Sequence, residues 1–179
     1  MHPPGSIRIR PYEFSDAQSL FEAARESIST VGAWLWWCTP DFRIEAAKAW
    51  VDYQVSAFQS KSEYEFAVFS NNGRFLGGCG LNSIDVRNAR ANLGYWVRSS
   101  ETAHGVATEA PHQVAQWAFQ NTDLIRLEIV VAEDNHASLR VAEKVGAVRE
   151  GVLRQRLRIQ DTFQDSVMFS ILKADVSRA

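Results

Sequence analysis

The chain has 179 residues, a formal net charge of −2 and 46% hydrophobic residues, which predicts a single globular domain spanning residues 1–179. Acidic and basic residues are interspersed, so no basic surface is expected to hold a nucleic acid. The apolar stretches are too short to span a membrane and the start lacks a signal-peptide pattern, which predicts a cytoplasmic protein. The cysteines and histidines have no metal-ligand spacing, so no metal site is predicted.

Hydrophobic periodicity predicts an alternation of strands and helices. Period-two segments predict seven strands, at about 7–10, 64–69, 75–81, 89–98, 124–131, 148–159 and 163–172. Helical spacing predicts four helices, at about 17–28, 47–58, 107–119 and 136–145. Ser15 and Gln18 form a predicted capping box at the start of the first helix. The second, third and fourth strands are consecutive and are expected to pair antiparallel.

The segment between the fourth strand and the third helix is predicted to form an anion-binding turn. Pro111 is tolerated only in the first turn of a helix, which puts the helix start near Ala107 and residues 104–107 in the preceding loop. Backbone N–H groups and the positive end of the helix dipole converge there, and such places bind anions. The loop contains only one glycine, Gly105, and is not glycine-rich. An ordinary loop that binds no ligand is therefore the alternative interpretation of this segment.

Several blocks of sequence resemble the GNAT superfamily of N-acetyltransferases. The blocks that resemble its acetyl-CoA signature are GYWVR at 94–98 and HGVATEA at 104–110. Those similar to the ribosomal-protein (RimL-type) branch are RLE at 126–128, AEDNHAS at 132–138, AEKVG at 142–146 and REGVLR at 149–154. The resemblance implies an α/β (α+β) GNAT-like acyl-CoA N-acyltransferase fold. This fold has a mixed, mostly antiparallel twisted sheet of about seven strands, flanked by about four helices and splayed between strands four and five.

The resemblance also implies where acetyl-CoA, the cosubstrate, binds. The pyrophosphate is expected on the amides of the turn and the pantetheine along the end of strand four. The implied contact residues are Tyr95, Trp96, Val97, Ala103, His104, Gly105, Val106, Ala107 and Thr108, together with Asn135 and Ser138. His104 adds charge only when protonated, and a solvated surface residue is the other interpretation. Ala103 stands where the family usually has glycine, so a left-handed turn at this position is expected to be distorted.

Acetyl transfer from a thioester to an amine needs a neutral amine, a polarised carbonyl and a proton for the departing thiolate. A backbone N–H near Trp96 or Val97 is the predicted donor to the carbonyl oxygen. The family's Asn-x-x-Ser motif implies that Ser138 supplies the proton, with Asn135 beside it. A helix that begins at Asn135 as its N-cap, with Ser138 in its first turn, accounts for both residues without chemistry.

The general base stays open at the level of sequence. The family often has a carboxylate two residues before the Gly-Tyr pair, where this chain has Asn92. The candidates are Asp85 and Glu128, acting through water, with Asn82 to position that water. Structural roles account for each of them too, and no base is needed if the amine arrives partly neutral.

The acceptor is predicted to be the α-amino group of a protein N-terminus or a related small amine, acetylated in a direct ternary complex. Trp34, Trp36 and Trp37 form either the core of a helical cap or an aromatic wall for this amine. An acetyl-cysteine route through Cys79 is the minor alternative, because no activating partner stands near it in sequence. Antibiotic or polyamine acetylation and a non-catalytic CoA-binding sensor are the competing functions, and a homodimer is compatible with the sequence.

Overall fold

A seven-stranded sheet forms the centre of the protein in a computed structural model that describes residues 7–176. The strands are β1 (Ile7–Pro11), β2 (Tyr64–Ser70), β3 (Phe75–Asp85), β4 (Arg90–Val97), β5 (Arg126–Ala132), β6 (Val148–Ile159) and β7 (Thr162–Leu172). The helices within the described residues are α1 (Ala17–Glu26), α2 (Ile44–Ser60), α3 (Val106–Asn121), α4 (His136–Lys144) and the short α5 (Lys173–Val176). The predicted order of seven strands and four longer helices is confirmed.

The strand order is β1-β2-β3-β4-β5-β7-β6, and every neighbouring pair is antiparallel except β4 and β5. The parallel pairing of β4 with β5 extends only from Arg90, opposite Arg126, to Asn92, opposite Glu128. Beyond Asn92, β4 continues along β3 while β5 continues along β7. The two strands therefore diverge, as predicted, and this side of β4 has no neighbouring strand within the described part of the chain.

The two faces of the sheet are covered by different helices. One face carries α3, whose Val106, Val114 and Ala118 are fully buried with Leu81 and Leu93 of the sheet. The other face carries α1 and α2, and its buried residues include Leu20, Ala23, Ala47, Val51, Ala67 and Phe75. Each face buries a continuous apolar layer, so the sheet is fixed from both sides and the gap between β4 and β5 opens in a rigid frame. No helix within residues 7–176 is long and apolar enough to cross a membrane.

The predicted capping box at the first helix is wrong. A 3₁₀ turn over Phe14–Asp16 precedes α1, and Asp16 accepts the Glu13 N–H at 2.8 Å. Both carboxylate oxygens of Asp16 also accept from the Arg10 guanidinium at 2.7 Å. A charged acceptor with two donors outcompetes the weaker Ser15–Gln18 arrangement, so Ser15 lies inside the 3₁₀ turn and does not cap α1.

Candidate active site

The turn before α3 presents backbone donors at the start of a 16-residue helix. Gly105 is the N-cap with φ of 89°, and its carbonyl accepts the N–H groups of Thr108 and Glu109 at 3.0 Å each. Within residues 7–176, no backbone carbonyl accepts the N–H groups of Gly105, Val106 or Ala107. The first N–H groups of a helix point out of its end, where the dipole is positive. The turn has the geometry of an anion site.

Ala103 has φ of 63°, in the left-handed region. The turn thus places a left-handed residue at this position even though the residue is an alanine. The exposed methyl group is accommodated in solvent, but the backbone strain of a left-handed L-residue, about 1–2 kcal/mol, remains.

Replacing Ala103 with glycine is expected to stabilise the protein by up to about 1 kcal/mol, because the relief of strain exceeds the added freedom of the unfolded chain. The free energy of unfolding in urea measures this gain. The matched control is Ala107→Gly in the first turn of α3, which has no left-handed strain to relieve and is expected to destabilise by about 0.5–1 kcal/mol. A destabilised Ala103→Gly variant contradicts the strained turn.

His104 lies at the edge of the same turn. Its Nδ1 is 3.7 Å from a carboxylate oxygen of Glu101, and Glu101 forms an ion pair with Arg74 at 2.9 Å. The His104 side chain is 43% exposed. The ring is thus held next to the start of α3 and remains accessible.

Ser138 meets Tyr95 across the gap between β4 and β5. The Tyr95 hydroxyl lies 2.8 Å from Ser138 Oγ, and it donates to the Ser138 carbonyl at 3.2 Å. Asn135 is the N-cap of α4, since its side-chain oxygen accepts the Ser138 N–H at 3.1 Å. Burial raises the pKa of Tyr95 to about 12, so this hydroxyl keeps its proton at neutral pH. The capping role of Asn135 is present, and the Ser138 hydroxyl still faces the open end of β4.

The three tryptophans of the segment between α1 and α2 separate into two environments. Trp37 packs edge-on against Trp96 of β4, with ring centroids 5.4 Å apart. Trp36 is 86% exposed. Trp34 and Trp36 line a cleft of about 800 Å³ between residues 28–40 and the turn of the β6–β7 hairpin at 158–161. One tryptophan therefore fills the core, and the other two form a wall of an open cleft.

The carboxylates predicted as bases already have partners. Asp85 accepts from the Asn88 side chain and N–H at 2.7 and 3.0 Å, and these hydrogen bonds lower its pKa. Glu128 forms ion pairs with Arg90 at 2.9 Å and with Arg126 at 2.8 Å. Asp85 thus closes the β3–β4 turn and Glu128 is neutralised by two cations, which suits structural roles.

Glu65 of β2 is a carboxylate that the sequence reasoning missed. Burial raises its pKa to about 8, with the Glu63 charge adding to the rise and a hydrogen bond from Asn82 opposing it. Asn82 in turn accepts from the Asn92 side chain at 3.1 Å. The available signal was an acidic residue inside the apolar strand YEFAVF, but only the register of the sheet brings Glu65 to Asn82.

Comparisons with known proteins agree with this fold and site. The family model described as Acetyltransferase (GNAT) domain matches residues 6–148. The "Probable N-acetyltransferase YjcK" of Bacillus subtilis (strain 168) is 28% identical over 174 residues, which cover 95% of this chain and 96% of YjcK. The "Ribosomal-protein-serine acetyltransferase" of Escherichia coli (strain K12) is 28% identical over 105 residues, covering 59% of this chain and 58% of that protein.

Solved structures share the architecture of the whole chain. RimL, a ribosomal L7/L12 α-N-protein acetyltransferase in complex with coenzyme A, aligns with a TM-score of 0.88 at 20% identity over 98% of both chains. RimJ of Mycobacterium smegmatis, in complex with a CoA disulfide, aligns with a TM-score of 0.87 at 21% identity over 98% of this chain and 92% of RimJ. The fold is that of an acyl-CoA N-acyltransferase. The chain belongs to the GNAT acetyltransferase family, whose N-acetyltransferases use acetyl-CoA.

Proposed function

We propose that the protein transfers the acetyl group of acetyl-CoA to the α-amino group of a protein N-terminus or a related small amine, in a direct ternary complex. The main support is the open end of β4, which leaves β5 after Asn92 and leads into the turn with free N–H groups at Gly105 to Ala107. An acyl carrier needs both features, a strand edge for its amide-containing arm and donors for its phosphates. The relatives named as ribosomal-protein acetyltransferases support the protein acceptor.

The residues of this turn fit the phosphate arm of CoA. The N–H groups of Gly105, Val106 and Ala107 would hold the pyrophosphate, and the backbone of residues 95–97 would pair with the pantetheine. Gly105 and Ala103 are exposed, so the approach to these donors is unobstructed by their own side chains. Bound there, acetyl-CoA supplies the activated thioester carbonyl. An N–H of the open β4 edge polarises that carbonyl as a preorganised donor.

Ser138 is the proposed proton donor for the leaving thiolate. The amine nitrogen forms a bond to the carbonyl carbon, the C–S bond breaks, and the Ser138 hydroxyl gives its proton to the sulfur. Tyr95 holds the Ser138 hydroxyl in place at 2.8 Å and is able to return a proton to it. Asn135 anchors the backbone of Ser138 and so sets where the hydroxyl lies.

The cleft beside Trp34 and Trp36 is the proposed entrance for the acceptor. It is wide and open, which suits a peptide chain better than a small compact molecule. Its lining includes the carboxylate of Asp161, which is paired with Arg158 at 2.7 Å. A polyamine would need several free carboxylates, so the charge of this cleft favours a peptide terminus over a polyamine.

An assay of thiol release from acetyl-CoA tests the proposed function. A peptide amide that begins with serine is expected to be acetylated, with spermidine and an aminoglycoside turned over at least about tenfold more slowly because the cleft offers them no acidic pocket. The same peptide with an acetylated N-terminus is the matched control and should release no thiol. Faster turnover of spermidine or the aminoglycoside points to the alternative acceptors. Coenzyme A binding without turnover of any amine supports a sensor.

A further inference from the structure

Three glycines, at positions 78, 80 and 94, lie on the face of the sheet that is under α1 and α2. Gly80 pairs with Gly94 across β3 and β4, and Gly78 pairs with Trp96. Paired residues of neighbouring strands share a face, about 4.8 Å apart. The side chains of Tyr12 and Trp96 cover Gly78 and the Glu65 carboxylate covers Gly80, whereas the nearest atoms to a side chain at Gly94 lie 3.8 Å away. A small ligand therefore fits over Gly94 at the open end of β4, and this space beside Glu65 is the groove.

Polar groups converge on this groove. The Tyr12 hydroxyl and the Trp96 indole nitrogen lie 2.7 and 2.8 Å from where a side chain at Gly78 would begin. Tyr12 is only 4% exposed, and its hydroxyl has no hydrogen-bond partner among the described residues. A buried hydroxyl without a partner is costly to a protein and marks a place where a ligand donor or acceptor is expected.

Glu65 supplies the carboxylate of the groove. It pairs with Gly80 across β2 and β3, and its side chain lies over that glycine, so that it stands in one row with Gly94. The side-chain nitrogens of Asn82 and Asn92 each lie 3.8 Å from where a side chain at Gly94 would begin. Within residues 7–176, no Lys, Arg or His forms an ion pair with Glu65.

We propose that this groove binds the acceptor amine and that Glu65 is the catalytic base, with Asn82 as its positioning residue. The inference rests on the proposed acetyl transfer and adds to it the group that takes the proton. The amine nitrogen lies over Gly94 and bonds to the carbonyl carbon as the C–S bond breaks. The proton that leaves the nitrogen goes to the Glu65 carboxylate, while the sulfur takes its proton from Ser138.

The surroundings of Glu65 suit a base that works near neutral pH. The titratable and charged groups around it are Glu63 on the same segment, Tyr12 after β1, Cys79 on β3, and the Arg90–Glu128 pair farther along the same face. The Arg90 charge is neutralised by Glu128 and Asp85.

Burial without a neighbouring cation keeps the Glu65 carboxylate basic, and Asn82 orients it by a hydrogen bond. The proposed base therefore stands at position 65 of β2, and not at position 92 of β4, where this chain has an asparagine.

The test measures the pH dependence of kcat/KM for Glu65→Gln with trifluoroethylamine, an acceptor that is uncharged at neutral pH because fluorine withdraws electrons. In the wild type, kcat/KM is expected to rise with pH, with its midpoint at about 8, and then to level off, since the base must be ionised. In Glu65→Gln the rising limb disappears and the plateau falls by about 100-fold, with unchanged affinity for coenzyme A. If Glu65→Gln keeps the rising limb and its kcat/KM stays within about threefold of the wild type, the proposal is overturned.

Glu63→Gln is the matched control, because Glu63 lies two residues away and its carboxylate bonds Tyr53 and Gln54 outside the groove. This variant should keep the rising limb and shift it slightly to lower pH, since a neighbouring negative charge is removed. If Glu63→Gln loses the rise of kcat/KM with pH, a group other than Glu65 is responsible for that rise and the role of Glu65 is overturned.

A second measurement on the wild type tests amine binding in the groove independently of acetyl transfer. Carbon-detected NMR follows the titration of the Glu65 carboxyl with and without serinamide. Binding of this amine is expected to shift the titration to lower pH, since a cation stabilises the carboxylate. If no amine is turned over, the proposed function fails, but the serinamide shift still supports an amine groove at Glu65. A titration unmoved by serinamide overturns the groove even in an active enzyme.

Discussion

Replacing Gly105 with aspartate is expected to weaken coenzyme A binding by at least about 100-fold. The new carboxylate would lie beside the free N–H groups of Val106 and Ala107 and repel the pyrophosphate. Two negative charges about 4 Å apart repel by about 1–4 kcal/mol near a protein surface, and 2.7 kcal/mol corresponds to about 100-fold in affinity. Calorimetric titration with coenzyme A measures the loss.

Gly105→Asn is the matched control for this substitution. Asparagine has the shape of aspartate and tolerates the positive φ of 89° equally well, but it carries no charge. Its affinity for coenzyme A should fall by less than about tenfold, and both variants should unfold at similar temperatures. If Gly105→Asp binds coenzyme A as the wild type does, the phosphate arm does not lie on this turn.

The second large effect is expected at Ser138. Ser138→Ala should lower kcat by about 100-fold, because the departing thiolate loses its proton donor, and should leave the KM for acetyl-CoA nearly unchanged. The cap of α4 survives this substitution, since Asn135 accepts from the backbone N–H of Ser138 and not from its hydroxyl. Single-turnover kinetics with the seryl peptide measure the chemical step.

Tyr95→Phe provides the comparison for Ser138→Ala. It removes the hydroxyl that lies 2.8 Å from Ser138 Oγ but leaves the proton donor itself, so kcat should fall by only about tenfold. An unchanged kcat in Ser138→Ala means that Ser138 is only a residue of the first turn of α4. A larger loss in Tyr95→Phe than in Ser138→Ala assigns the proton transfer to Tyr95.

The elements of this fold were predictable because each depends on a local pattern. Period-two alternation marks a strand such as β5, and the stripe of Ala110, Val114 and Ala118 marks α3 from a single stretch of chain. The blocks around Gly105 and Ser138 are contiguous, so the predicted turn and the serine of the fourth helix are readable without any long-range contact. The start of α1 was not predictable from a local pattern, because Asp16 before this helix is held by the guanidinium of Arg10 on β1.

The sequence by itself determined the order of the elements, the family and the turn before α3, since short segments carry that information. Only the tertiary structure decided which side chains meet across strands. Glu65, Gly80 and Gly94 come from three strands. A shift of one residue in the β2–β3 pairing would send Glu65 to the other face of the sheet, and the same shift in the β3–β4 pairing would send Gly94 there. The same holds for Trp37, which packs against Trp96 while Trp34 and Trp36 face the cleft. Strand register depends on long-range pairing, and no local window of sequence contains it.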